Sequence, residues 1–282
     1  MSKRYDTPAT NTWCPGCGNF SILNVMKQTL DEMSIEPWEA VAVTGIGCHG
    51  KFTDYIGVNG IHTIHGRVLP VASAIKLANH DLKVLGFAGD GDAFNIGMGH
   101  FAHAVRRNVD LTYIIHNNLI YGLTTGQISP TSKKGYVSKT SPRGSWEKAI
   151  NPLTQALTAG ATFVSRAYVG EFSHFKDVLK QAINHEGFAM VDVLQPCISW
   201  NKVNTYEFYR DRVFKLEEAG HKTDDWDLAY LRAEQWGDQI PIGVFYKSDE
   251  PPYRESFPAL KKGTLVDRPL RRDMEKLFRE FM

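Results

Sequence analysis

The sequence has no surplus of charge of either sign. Its 32 basic and 31 acidic residues leave a formal net charge of +1, so it carries no electrostatic footprint for nucleic acid. It lacks any apolar run near membrane-spanning length, which excludes a transmembrane helix. The opening stretch, Met1 to Asn11, is polar and has no signal-like apolar core. The expectation is a soluble cytoplasmic protein. Repeats and low-complexity linkers are missing as well. Cysteine is scarce: Cys14, Cys17, Cys48 and Cys197. In a cytosolic chain of this size, four cysteines argue against structural disulfides.

What is present is enough apolar material, 43% of 282 residues, for one large α/β domain or two small ones. The most informative stretch runs from Lys83 to Gly122. Val84 to Ala88 has the length of a buried strand, and Gly89-Asp90-Gly91 then turns the chain. Gly97 to Asn108 reads as a helix with Met98, Phe101, Ala102 and Val105 on one face. Leu111 to Ile115 is a second strand, and Asn117-Asn118 stands where it ends. This is a βαβ unit, so both turns belong at one edge of a parallel sheet. Asp90 offers a carboxylate and Asn118 an amide oxygen, and Gly91 lets the backbone approach a phosphate. Hard oxygen donors around a cation that also holds phosphates suit Mg²⁺. Alone, Gly-Asp-Gly is a common turn; the asparagine pair at the next strand end makes the pattern specific.

The cysteines sit in distinctive surroundings. Cys14 and Cys17 flank Pro15-Gly16 in a tight knuckle. Cys48 follows Gly45-Ile46-Gly47 after the strand Ala40 to Val43, and Cys197 follows Pro196 after the run Phe188 to Leu194. Four thiolates suit tetrahedral zinc or an iron–sulfur cluster. The knuckle is also a zinc-ribbon signature, although such ribbons supply a second close pair and Cys48 and Cys197 are 149 positions apart. Spacing leaves both metals open.

Gly89-Asp90-Gly91, twenty-five residues and then Asn117-Asn118 resembles the thiamine diphosphate motif of thiamine-dependent enzymes. Trp13-Cys14-Pro15-Gly16-Cys17-Gly18, Gly45-Ile46-Gly47-Cys48, His65 to Ala72 and Tyr121-Gly122-Leu123-Thr124 resemble the β subunit of 2-oxoacid:ferredoxin oxidoreductases. The resemblance runs from about Thr12 to about Leu216. It implies thiamine diphosphate as coenzyme, with Mg²⁺ on Asp90, Asn118 and the carbonyl of Ile120. It implies coenzyme contacts from Ile46, Gly47, Cys48, His49, His65, Gly91, Asp92, Gly122 and Leu123. It assigns Cys14, Cys17, Cys48 and Cys197 to one [4Fe–4S] cluster. The implied reaction is oxidative decarboxylation of a 2-oxoacid, 2-oxoglutarate or pyruvate, to acyl-coenzyme A and CO₂, with ferredoxin taking the electrons.

One diphosphate motif and no room for a second equal domain imply a partner. An α subunit would carry the pyrimidine-binding domain and the activating glutamate, so no catalytic residue is assigned here. Lys51 is a weaker candidate, for a substrate carboxylate. Arg67 suits a bidentate phosphate pair or a loop or subunit contact, the second being preferred. His100 and His103 read as ordinary helix residues facing sheet and solvent, and Lys133 and Lys134 as solvated.

The fold expected is a parallel sheet of five or six strands with helices on both faces, the diphosphate-type thiamine fold over residues 1–200, followed by an arm over 201–282. Ser21 to Leu30, Val71 to Ala78, Ala149 to Gly160 and Phe172 to His185 read as helices, and Thr162 to Arg166 as a strand. In the arm, Tyr206 to Leu216, Asp224 to Gln235 and Arg271 to Met282 read as helices, and Ile242 to Phe245 as an apolar run. Tyr121 to Tyr136 reads as a mobile loop beside the coenzyme. Two other readings are a non-oxidative thiamine decarboxylase or synthase subunit with structural zinc, and a non-catalytic zinc-ribbon binding module. Zinc would leave the first colourless; the second would show no heat with thiamine diphosphate and Mg²⁺.

Overall fold

The computed structural model describes residues 3–268 and 274–282. Its centre is an eight-stranded sheet. Six strands lie parallel: β1 (Ala40–Thr44), β2 (Asn59–His62), β3 (Lys83–Gly89), β4 (Leu111–Asn117), β7 (Phe163–Tyr168) and β8 (Phe188–Leu194). A small antiparallel pair, β5 (Ile120–Tyr121) and β6 (Gln127–Ile128), stands outside the sheet. Two later strands complete it. β9 (Val213–Lys215) pairs parallel with β10 (Ile240–Lys247), and β10 runs antiparallel to β7. The order is β2-β1-β3-β4-β8-β7-β10-β9.

The central strands β4 and β8 are buried along their whole length, as continuous apolar runs covered on both faces must be. Alternation splits them between two cores. Ile114, Val191 and Val193 face one side, with Ile22, Met26, Phe175 and Leu179 of helices α1 (Asn19–Glu32) and α6 (Phe172–Asn184). Ile115, Phe188 and Met190 face the other, with Leu69, Phe101 and Leu153. Those three belong to α3 (Val68–Ala78), α4 (Met98–Arg106) and α5 (Pro152–Thr158). Asn151 starts α5: its side chain accepts from the Leu153 and Thr154 amides, and proline follows at the first helical position. A short helix, α2 (Phe52–Tyr55), follows the Cys48 loop. Among the described residues no helix is long and apolar enough to cross a membrane.

Several expectations need correction. The helix expected over Tyr206 to Leu216 stops early: α7 spans Tyr206–Arg210, and Val213–Lys215 is β9. Val213 and Phe214 favour a pleated surface, and the edge of β10 offers them hydrogen-bond partners. Asn59–His62, for which no strand is expected, is the edge strand β2. The helix expected from Gly97 is preceded by a π-helical turn, Asp92–Ile96, a form that recurs at functional sites. The stretch read as a mobile loop is partly core: Ser129, Thr131 and Ser132 are buried. The helix expected from Asp224 is α8 (Trp226–Ala233), capped by Asp225. Of the terminal helix, 271–273 lie outside the described residues and Met274–Arg279 form α9.

A buried polar knot joins the sheet's lower edge. Thr162 Oγ1 lies 2.7 Å from Asn108 Oδ1 and 2.7 Å from His185 Nε2. Burial first, then the charge of Lys247, push the His185 pKa down to about 4. The unfolded chain, with a histidine near 6.5, therefore binds more protons than the native one between these values. His185 supports stability fully above pH 6.5, and that support is lost as pH falls towards 4. The melting temperature should fall over this window less in His185→Gln than in the wild type; parallel melting curves would exclude the role.

Candidate active site

The loops after β1, β3, β4 and β8 meet at one edge of the sheet, together with the start of α1. They enclose a cavity of about 280 Å³. This is where open parallel sheets bind ligands, because chains leaving adjacent strands diverge there. The nine coenzyme candidates and three magnesium candidates all line it. Lys51 does not. Its Nζ donates to Thr12 Oγ1 at 2.6 Å, and it lines a separate open cleft with Thr7, Asp54 and Tyr55. Lys133 and Lys134 are exposed.

Asp90 follows β3 directly and is almost wholly buried. Its Oδ2 accepts from Ser129 Oγ at 2.5 Å and Thr131 Oγ1 at 2.6 Å. Burial pushes its pKa up to about 6, against the pull of those two hydroxyls. A carboxylate desolvated in this way gains from a cation. Asn118 follows β4, and its Oδ1 accepts from the Ile120 amide at 3.2 Å. Between them Leu119 adopts φ +62°, a left-handed conformation rare outside glycine. Ser132 holds this turn by donating to the Leu119 carbonyl at 2.5 Å. Carboxylate, amide oxygen and peptide carbonyl therefore line one cavity, a hard-oxygen donor set that fits Mg²⁺.

Asp92 organises the opposite wall. His65 Nδ1 lies 2.5 Å from its Oδ1, and the Gly66 amide donates to the same oxygen at 2.7 Å. His49 Nε2 is 3.6 Å from Oδ2. Burial alone would raise the Asp92 carboxyl, but His49, the Gly66 amide and His65 hold it below its ordinary value. Gly45 is required here, since a Cβ would lie 2.0 Å from Asp92 Oδ2. Asp92 thus orients His65 and the Gly45–Gly47 loop. Two buried nitrogens on the cavity wall, His49 Nε2 and His116 Nε2, have no hydrogen-bond partner among the described residues. Burial, then the charge of His49, keep His116 well below the ordinary histidine range. Buried polar atoms awaiting partners and a glycine-rich wall fit a polar, phosphate-bearing ligand.

The four cysteines are free. The Cys17 amide donates to the Cys14 carbonyl at 3.0 Å, closing the knuckle. Burial pushes the Cys17 thiol up to about 12, and the thiols of Cys197, Cys48 and Cys14 add to the rise. Cys48 is raised by burial and then by Cys197 and Cys14. Four soft donors from three segments therefore converge, which fits an iron–sulfur cluster in kind. Their sulfurs are not drawn to ligand spacing: among the described residues no three Cys, His, Asp or Glu side chains form a metal-binding group.

Sequence reasoning missed Asn19, His116 and Gln195 on the cavity wall, and gave no role to Tyr121 there or to Ser129 and Thr131 behind Asp90. Gln195 stands two residues before Cys197 at a strand end, a position that could have drawn notice. Ser129-Pro130-Thr131-Ser132 is a hydroxyl cluster, but only the fold shows which acid it faces.

The chain is similar to known proteins over most of its length. Residues 45–193 match the family described as thiamine pyrophosphate enzyme, C-terminal TPP binding domain. Residues 197–262 match the family described as the C terminal of the pyruvate ferredoxin oxidoreductase beta subunit. The 2-oxoacid:ferredoxin oxidoreductase subunit beta of Saccharolobus solfataricus is 44% identical over 94% of this chain and 90% of its own length. The 2-oxoglutarate synthase subunit KorB of Methanocaldococcus jannaschii is 36% identical over 86% of this chain and 90% of its own. A 2-oxoglutarate:ferredoxin oxidoreductase structure from Magnetococcus marinus, with 2-oxoglutarate, coenzyme A and succinyl-CoA bound, superposes with a TM-score of 0.92 at 37% identity, covering 99% of this chain and 95% of that one. With its thiamine-type sheet edge and this likeness over nearly its full length, the chain belongs to the β subunits of the 2-oxoacid:ferredoxin oxidoreductases.

Proposed function

We propose that this subunit binds thiamine diphosphate through Mg²⁺ and carries a [4Fe–4S] cluster. With an α subunit it would convert a 2-oxoacid and coenzyme A to acyl-coenzyme A and CO₂, passing electrons to ferredoxin. The observation that carries the reading is the convergence of Asp90, Asn118, Ile120 and Cys48 on one cavity, with Cys17 and Cys197 adjoining it. The bound structure from Magnetococcus marinus favours 2-oxoglutarate among the substrates.

Bound thiamine diphosphate supplies the electron sink for decarboxylation. The chain's own share is placement. Asp90, Asn118 and the Ile120 carbonyl would hold the metal. Asp92 fixes the His65 ring, and Ile46 and Gly47 on the cavity wall would face the diphosphate. Gly91 packs so closely on Tyr121 that a Cβ would lie 2.3 Å from its ring, so a larger residue would move that wall. Cys14, Cys17, Cys48 and Cys197 would hold the cluster.

The test is anaerobic purification with the co-purifying partner, followed by dye reduction with a panel of 2-oxoacids. A brown protein that reduces dye only with coenzyme A and a 2-oxoacid is expected. Cys17→Ser should bleach the visible absorption and abolish dye reduction. A colourless wild-type protein containing zinc would instead favour a non-oxidative thiamine enzyme.

A further inference from the structure

Gln195 is the first residue after β8 and is 1% exposed. Both ends of its amide are engaged. Oε1 accepts from Asn118 Nδ2 at 3.2 Å. Nε2 donates to Cys17 Sγ at 3.4 Å and to the Pro196 carbonyl at 3.2 Å. Its backbone is held too, the Gln195 amide donating to the Asn117 carbonyl at 3.0 Å. Gly18 makes room for it, since a Cβ there would lie 2.7 Å from Gln195 Cγ. One side chain therefore touches a residue of the metal-binding turn and a sulfur of the cysteine group.

We infer that Gln195 is a positioning residue that couples the two halves of the site: it turns the Asn118 amide so that Oδ1 serves the metal, and it tunes the cluster through an N–H···S hydrogen bond to Cys17. This rests on the proposed function. The first half follows from the amide's asymmetry. Because Gln195 Oε1 accepts, Asn118 must present its NH₂ to Gln195, which leaves its oxygen on the other side. The second half follows from charge. A donor to a ligating sulfur stabilises the more negative, reduced cluster, so its loss lowers the reduction potential.

The two functions can be separated by two variants of the holoenzyme. Gln195→Glu keeps an acceptor for Asn118 but removes the donor to Cys17. Gln195→Met removes both while nearly keeping the volume. Two readouts are taken: the cluster midpoint potential from an electron-paramagnetic-resonance-monitored redox titration, and the affinity for thiamine diphosphate in Mg²⁺ by calorimetry. The potential is expected to fall in both variants. Affinity should hold within about threefold in Gln195→Glu and weaken about tenfold in Gln195→Met, the effect of one hydrogen bond worth roughly 1.4 kcal/mol. An unchanged potential in either folded variant overturns the coupling while leaving the proposed function standing. A wild-type holoenzyme without an iron–sulfur signal overturns both.

Discussion

Replacing Asp90 by alanine is expected to weaken thiamine diphosphate binding in Mg²⁺ by more than about a hundredfold and to remove most of the activity. The reasoning starts from the two carboxylate oxygens. Oδ2 is committed to Ser129 and Thr131, so Oδ1 is the oxygen left for a metal. Residues that merely support a ligand cost roughly 10–100-fold in metal affinity when removed; the ligand itself should cost more. Alanine also strands the two hydroxyls, so a modest loss of stability accompanies the loss of binding. Asp90→Asn separates these effects, because it keeps an acceptor for Ser129 and Thr131 but gives up the charge. Calorimetric titration of the apoprotein with the coenzyme at saturating Mg²⁺ reads the result directly. Tight binding in both variants would mean that the metal sits elsewhere.

The largest effect on stability should come from Arg166, which is buried and does not line the cavity. Its Nε donates to Asp192 Oδ2 at 3.0 Å, and both side chains are almost completely buried. The guanidinium carbon lies 5.2 Å from the Trp236 ring centroid and 5.7 Å from that of Phe245. Asp192 Oδ1 accepts from Asn117 Nδ2 at 2.8 Å, so the pair anchors the strand end that precedes Asn118. Arg166→Met would leave the Asp192 carboxylate in the core without its counter-charge. Breaking a buried pair on one side costs about 3–5 kcal/mol, which for a chain of this size lowers the melting temperature by roughly 10 °C. Adding Asp192→Asn should recover much of that loss, because the neutral amide still accepts from Asn117 and no charge is stranded. Differential scanning calorimetry of the wild type, the single variant and the double variant checks the sequence of values. A single variant that melts with the wild type would show that water or a shifted neighbour replaces the arginine.

Much of the architecture could be read from local pattern. Val84 to Ala88, Leu111 to Ile115 and Phe188 to Leu194 are apolar runs too short for helices and bounded by turn residues, and each became an inner strand of the parallel sheet. The helical stretches of α1, α3 and α6 had their periodicity in plain view. Where the reading failed, local preference met a distant partner. Val213–Lys215 continues a helical pattern, yet it pairs with Ile240–Ile242. Asn59–His62 has no apolar alternation and became a strand by lying against β1. Ser129 and Thr131 belong to a polar stretch that reads as a mobile loop beside the coenzyme, and they are buried where they donate to Asp90.

From the chain alone came the expectation that Asp90, Asn118, Cys48 and Cys197 gather at one edge of the sheet. Asp90, Asn118, Cys48 and Cys197 each follow a strand that runs in the same direction, and a parallel sheet places such ends together. Only the tertiary structure decided which residues support them: Thr131 behind Asp90, Asp92 behind His65, and Gln195 between Asn118 and Cys17. Gln195 and Cys17 are 178 positions apart. A hydrogen bond reaches only about 3 Å, so its partner is set by how two distant segments meet in space, and no local spacing records that.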